Sequence, residues 1–83
     1  MRLIDIGAGN MVLDQRIVAM VTPDSAPAKR IVGEAKEQGR IIDCTGGRKT
    51  KSIIITDSDH VILSYLSCEA LSERLNKDNG GTK

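Results

Sequence analysis

The sequence predicts a small α/β domain, mostly β, with a short-stranded sheet, one central helix and a C-terminal helix. Short apolar runs recur along the chain, and turn residues close each of them. Only two segments carry the start and stop signals of helices. With 83 residues there is room for one domain. Residues 1–76 form that domain, and the Gly-rich polar segment 77–83 reads as a disordered tail.

The elements follow in order. Arg2-Leu-Ile-Asp-Ile6 is a short strand that Gly7-Ala-Gly-Asn10 ends in a turn. The Gly-x-Gly there is not a dinucleotide fingerprint, because Val12 stands where the third glycine belongs and no helical pattern follows. Met11 to Leu13 and Ile17 to Val21 are the next apolar runs. The second is nearly continuous, as suits a strand covered on both faces, and Arg16 stands just before it. Thr22 to Pro27 then starts a helix, with Ser25 as cap and Pro27 in the first turn. Ala28, Ile31, Val32 and Ala35 fall at i, i+3, i+4 and i+7 and form its apolar stripe. Gly33 is costly in a helix, which points to close packing, and Gly39 terminates the element. Lys29 and Arg30 occupy the first turn, where the helix dipole disfavours cations. An ordinary solvated face explains them better than a phosphate contact.

Two further strands, Arg40 to Cys44 and Ser52 to Thr56, flank the stretch Cys44-Thr-Gly-Gly-Arg-Lys-Thr-Lys51. They read as a hairpin, with Gly46 and Gly47 supplying the positive φ of its turn. Arg48, Lys49 and Lys51 follow with no acid among them. Three cations at one tip suit an anionic partner; the plain alternative is a solvated loop that guards a sheet edge. Asp57-Ser-Asp59 turns the chain into the strand His60 to Tyr65. That acidic turn needs its side chains for backbone hydrogen bonds, and no further ligands stand at metal spacing. Ser67 caps a second helix, Cys68 to Asn76, with Leu66 stapled onto Leu71.

Composition bounds what such a chain can do. There is no Phe or Trp and one Tyr, Tyr65, so the core is aliphatic. A chain of this size buries only about 60% of its unfolded surface. Self-association is one remedy for so thin a core. Cys44 and Cys68 are expected to be reduced packing residues, and no signal peptide or membrane span is evident. Together these make a cytoplasmic protein the default. The net charge is only +1, but its distribution is uneven: residues 29–51 carry seven bases and three acids. A localised basic patch on a balanced chain is a better footprint than a high pI.

Lys49-Thr50 after two glycines invites comparison with a phosphate-binding loop. The match fails, because Arg48 precedes the lysine and a strand follows it. No nucleophile stands with a base and an orienting group, and His60 is the only histidine. The chain therefore does not read as an enzyme, and no cofactor or small-molecule substrate is evident. A basic ribbon entering the major groove of duplex DNA is the favoured use of the tip. An RNA-binding oligomer and a structural oligomer with merely solubilising loops are the alternatives. With no aromatic stacking platform, single-stranded nucleic acid is disfavoured. One such tip binds weakly, and repetition in an oligomer strengthens it.

Several strings resemble the RemA-like family of extracellular-matrix regulatory proteins. They are Ile6-Gly-x-Gly-Asn10; Ser25-Ala-Pro27 with Lys29-Arg-Ile31; Ile42-Asp43-x-Thr45-x-Gly47-Arg48; and Asp57-Ser-Asp-His-Val-Ile-Leu-Ser64. They span nearly all of the chain except the tail. The resemblance implies a bacterial DNA-binding activator of biofilm-matrix genes with a LytTR-like fold, assembled as a closed homo-oligomeric ring. It also implies that Arg16 and Arg48 contact DNA, with Lys49 at a third position where the family carries arginine. Lysine keeps the charge there but loses the bidentate fork. Gly46 departs as well, since the family has an aromatic at that position. Lys51 joins the candidate DNA-binding set as a phosphate contact.

Overall fold

The computed structural model describes the backbone of residues 2–81 and the side chains of residues 2–76. The order of elements is β1 (Leu3–Gly7), β2 (Asn10–Leu13), a single 3-10 turn (Asp14–Arg16), β3 (Ile17–Val21), α1 (Ala26–Glu37), β4 (Ile41–Asp43), β5 (Ser52–Thr56), β6 (Val61–Ser64) and α2 (Cys68–Gly81). β1 and β2 form an antiparallel hairpin. The other four strands make one sheet in the order β3-β5-β6-β4. β5 and β6 hold its centre.

The two faces of that sheet follow from strand alternation. Ile53 and Val61 face α1 and pack with its Ala28 and Ala35. Ile54 and Ile62 face the opposite way and pack with Ile6 of β1, Cys44 and Leu71 of α2. Two small cores thus sandwich one sheet, with α1 on one side and the hairpin with α2 on the other. Ile53 and Ile54 are almost fully buried. The continuous run in β5 is therefore covered by its own chain. β3 is different. It is an edge strand, bulged between Ile17 and Ala19, and Val18 remains 66% exposed.

The local signals for α1 hold. Ser25 Oγ accepts from the Ala28 amide at 3.2 Å. At the other end Gly39 adopts φ +70. The Arg40 amide donates to Ala35 O at 2.8 Å and that of Gly39 to Lys36 O at 3.3 Å, the paired closure of a Schellman motif. Gly33 departs from expectation. A Cβ there would meet nothing within 4 Å, so close packing within the chain does not require it. α2 is capped by Ser67, whose Oγ accepts from the Ala70 amide at 3.1 Å, and Leu66 and Leu71 share one core cluster. The helix runs to Gly81, past Asn76, where the sequence places its end. Side chains from Lys77 onward and residues 82–83 lie outside the described residues, and much of the expected tail falls there.

The main correction concerns β4. The sequence pairs it with β5 as a hairpin, but it lies parallel to β6, with Ile41 opposite Val61 and Asp43 opposite Leu63. The tight hairpin is β5–β6, in register from Ser52 opposite Ser64 to Ile55 opposite Val61. A short loop closes more readily than a long one, so the turn at Asp57 to His60 claims β6 for β5. β3 occupies the other edge of β5, and β4 takes the remaining edge of β6. The basic stretch is therefore not the tip of a ribbon. It is a loop that crosses the end of β6 to join two strands that are not paired.

Candidate nucleic-acid interface

The crossing loop is held at its base by strand bonds and at its turn by one carboxylate. The Cys44 amide donates to Leu63 O at 2.9 Å, and that of Lys51 to Ser64 O at 2.8 Å. Asp43 Oδ1 accepts from the Thr45 amide at 2.9 Å and from Thr45 Oγ1 at 2.7 Å. These bonds, the hydroxyl first, hold the Asp43 carboxyl below its ordinary range, with a smaller contribution from the charge of Lys36. Gly46 and Gly47 follow at φ +64 and +86. The Arg48 amide then closes the turn onto Thr45 O at 3.2 Å. The positive φ expected of both glycines is present.

Arg48, Lys49 and Lys51 are all exposed. Among the described residues no ion pair engages any of them. Arg48 has another neighbour: its guanidinium carbon sits 4.6 Å from the centre of the Tyr65 ring. Tyr65 follows β6 directly, beneath the crossing loop. Gly7, at φ +101, also lies against the ring: a Cβ there would come within 2.6 Å of Tyr65 Cε2. A Cβ on Gly46 would likewise approach the Ala8 methyl at 3.3 Å. The β1–β2 turn is therefore packed against the basic loop. The sequence marks Gly7 to Asn10 as a turn and Tyr65 as a strand end. Neither carries a local signal for this role, because the contact joins residues far apart in sequence.

Arg16 is elsewhere. Its backbone carbonyl accepts from the Asp57 amide at 2.9 Å, at the far end of β5 from Lys51. The length of β5 separates the two ends by about 13 Å at ordinary strand rise. Arg16 Nε also meets Asp57 Oδ1 at 2.6 Å, with both side chains about half exposed. Such a pair stabilises by roughly 0–1 kcal/mol, so a phosphate can displace the carboxylate at small cost. The structure thus brings Arg48, Lys49 and Lys51 together on one loop and leaves Arg16 at the opposite end of the sheet. Lys29 lines a shallow cavity of about 350 Å³ between α1 and the sheet, with Lys36, Gly33 and Thr50 of the basic loop. Arg30 is exposed outside that lining.

The other titratable groups show no catalytic arrangement among the described residues. His60 Nδ1 is 2.8 Å from Ser58 Oγ, which in turn meets Thr56 Oγ1 at 2.9 Å, so this trio closes the β5–β6 turn. Cys44 and Cys68 are free thiols. Burial first, and then the neighbouring Asp43 or Glu69 charge, raises each above its ordinary pKa. That is the reverse of what a reactive thiolate needs. No described helix is long and apolar enough to cross a membrane.

Comparison with known proteins places the chain in a family. The RemA-like family model, described as extracellular matrix regulatory protein A-like, matches residues 3–75. A protein named "Putative regulatory protein" in Halothermothrix orenii is 55% identical over 78 residues, covering 94% of this chain and 93% of its own length. A namesake in Acetivibrio thermocellus is 55% identical over 76 residues, covering 92% and 82%. A third relative of that description, in Clostridium acetobutylicum, is 53% identical over 81 residues, covering 98% and 88%. The matched span takes in the crossing loop, the β1–β2 turn and Tyr65, and on this evidence the chain belongs to the RemA-like family of regulatory proteins.

Proposed function

We propose that the protein is a cytoplasmic, non-enzymatic transcriptional regulator of biofilm-matrix genes, which binds duplex DNA as a closed homo-oligomeric ring. The observation that carries this reading is the crossing loop. It presents Arg48, Lys49 and Lys51 to solvent with no carboxylate among the described residues to neutralise them, on a turn fixed by Asp43. Family membership supplies the regulatory role, and a kinship with LytTR-type DNA-binding domains is part of the same reading. The DNA is met by a loop rather than a two-stranded ribbon, because β4 and β5 are not paired. Arg16 joins as a second contact at the other end of the sheet. One copy offers few phosphate contacts, so affinity comes from several copies engaging one duplex.

The exposed apolar side chains Leu3, Met11 and Ile42 support association of copies. All three line one shallow cavity, together with Arg16 and His60. An interface on that face would place Arg16 at a subunit junction, where a neighbour's loop supplies the missing cations.

The test is a titration of parent and variants against a duplex selected from a random pool and against its scrambled version. Arg48 can reach a guanine with both arms of its fork, a contact worth about 1–3 kcal/mol of discrimination. Arg48→Ala should therefore weaken binding and lower the preference for the selected duplex. Lys51→Ala should weaken both duplexes about equally, as loss of a phosphate contact does. Affinity should fall steeply with salt, each neutralised phosphate adding roughly −0.9 to the slope of log K against log salt. Arg48→Ala binding as the parent does, or a slope near zero, would remove the loop from the interface.

A further inference from the structure

We propose that Tyr65 is a positioning residue for DNA recognition: its ring, seated on Gly7, fixes the direction in which Arg48 presents its guanidinium. The proposal rests on the reading of the crossing loop as a DNA contact and adds a residue to it. An arginine on a glycine-rich turn has no reason to prefer one rotamer, and ordering it costs side-chain entropy. Here the guanidinium lies 4.6 Å from the ring centre, within the range in which a cation is attracted to an aromatic face. A cation–π contact engages the positive charge and not the N–H groups, which remain free to donate to a base edge or a phosphate. The contact therefore orients the fork without consuming it.

The ring is itself constrained. A Cβ at position 7 would stand 2.6, 3.0 and 3.2 Å from Tyr65 Cε2, Cζ and Cδ2. Only a glycine lets the ring edge lie this close to the β1–β2 turn. The order of support thus runs from Gly7 to Tyr65 to Arg48, and joins the hairpin to the loop. Tyr65 is also the single aromatic residue of the chain, which has no Phe or Trp. An aromatic spent here contributes to neither core cluster. The plain alternative is that the ring merely shields apolar surface.

A double-substitution cycle separates the two. Tyr65→Leu removes the π face, Tyr65→Phe keeps it, and each is made in the parent and in Arg48→Ala. Affinities for the selected and scrambled duplexes are measured alongside oligomer mass. Tyr65→Leu should weaken binding about two- to five-fold for each engaged copy, the range of an exposed cation–π contact. It should also narrow the preference for the selected duplex. Tyr65→Phe should restore both. In the Arg48→Ala background Tyr65→Leu should do nothing further. If Arg48→Ala weakens binding but Tyr65→Leu does not, or if the two losses simply add, Tyr65 does not act through Arg48 and the proposal falls. If Arg48→Ala itself binds as the parent does, the reading of the loop falls first and the proposal with it. Should Tyr65→Leu fail to fold, the intrinsic emission of the protein, all of it from Tyr65, reads the contact directly. It should change on Arg48→Ala and on adding duplex to the parent, and an emission unaltered by both would overturn the stacking.

Discussion

Two glycines have opposite roles in this molecule, and neither role is visible from the residue type. Gly7 combines a φ of +101 with a ring where its Cβ would be. Gly33 has ordinary helical backbone and open space. Gly7→Ala should therefore destabilise by roughly 2–4 kcal/mol, from backbone strain and overpacking together. Gly33→Ala should stabilise by about 0.5–1 kcal/mol, because alanine gains helix propensity and meets nothing. Denaturant unfolding of both variants checks the pair. Stabilisation by Gly7→Ala, or a large loss from Gly33→Ala, would contradict the packing described. The latter result would also mean that α1 meets something beyond its own chain.

At the scale of elements, the crossing loop depends on a charge as well as on its glycines. Asp43 accepts two hydrogen bonds from Thr45, which lower its pKa in the folded state. A carboxylate with a depressed folded pKa contributes stability above its unfolded pKa and loses it as pH falls through the folded value. The contribution is thus complete at neutral pH and fades only below the ordinary aspartate range. Asp43→Asn keeps an acceptor oxygen but removes the charge. It should lower the melting temperature at neutral pH by a few degrees, and the gap to the parent should close in acid. Asp14, also depressed, chiefly by its hydrogen bond from the Arg2 amide, titrates equally in both proteins and cancels from the difference. A gap that stays constant from neutral pH to strong acid would show that Asp43 acts by shape alone.

For the whole molecule the question is what covers the apolar surface that a single chain leaves bare. The sheet centre is closed on both faces by the chain's own α1, hairpin and α2. Leu3, Met11, Val18 and Ile42 are 59%, 61%, 66% and 42% exposed. They lie on the hairpin, the edge strand β3 and the edge strand β4. If copies associate through these positions, the parent should sediment well above monomer mass at micromolar concentration. Met11→Glu combined with Ile42→Glu should then give folded monomers that bind duplex far more weakly, since engagement by several copies is lost. A parent that sediments as a folded monomer would sink the ring.

The sequence by itself determined the elements whose causes are local. The Ser25 and Ser67 caps, the α1 stripe from Ala28 to Ala35, the Gly39 stop and the Gly46–Gly47 turn all depend on neighbours within a few residues. The chain therefore states them directly. It also placed Arg48, Lys49 and Lys51 on one exposed segment, because proximity in sequence guarantees proximity in space. Tertiary structure decided the rest. β4 reads equally well beside β5 or β6, since strand signals do not name a partner; the competition was settled by the short β5–β6 turn and by β3 on the other edge. That outcome turned a presumed ribbon tip into a loop crossing β6, and it brought Tyr65 beneath Arg48. It also set Arg16 at the far end of β5. Contacts such as Gly7 to Tyr65, more than fifty residues apart in sequence, exist only once two separate hairpins pack, and no local pattern encodes them.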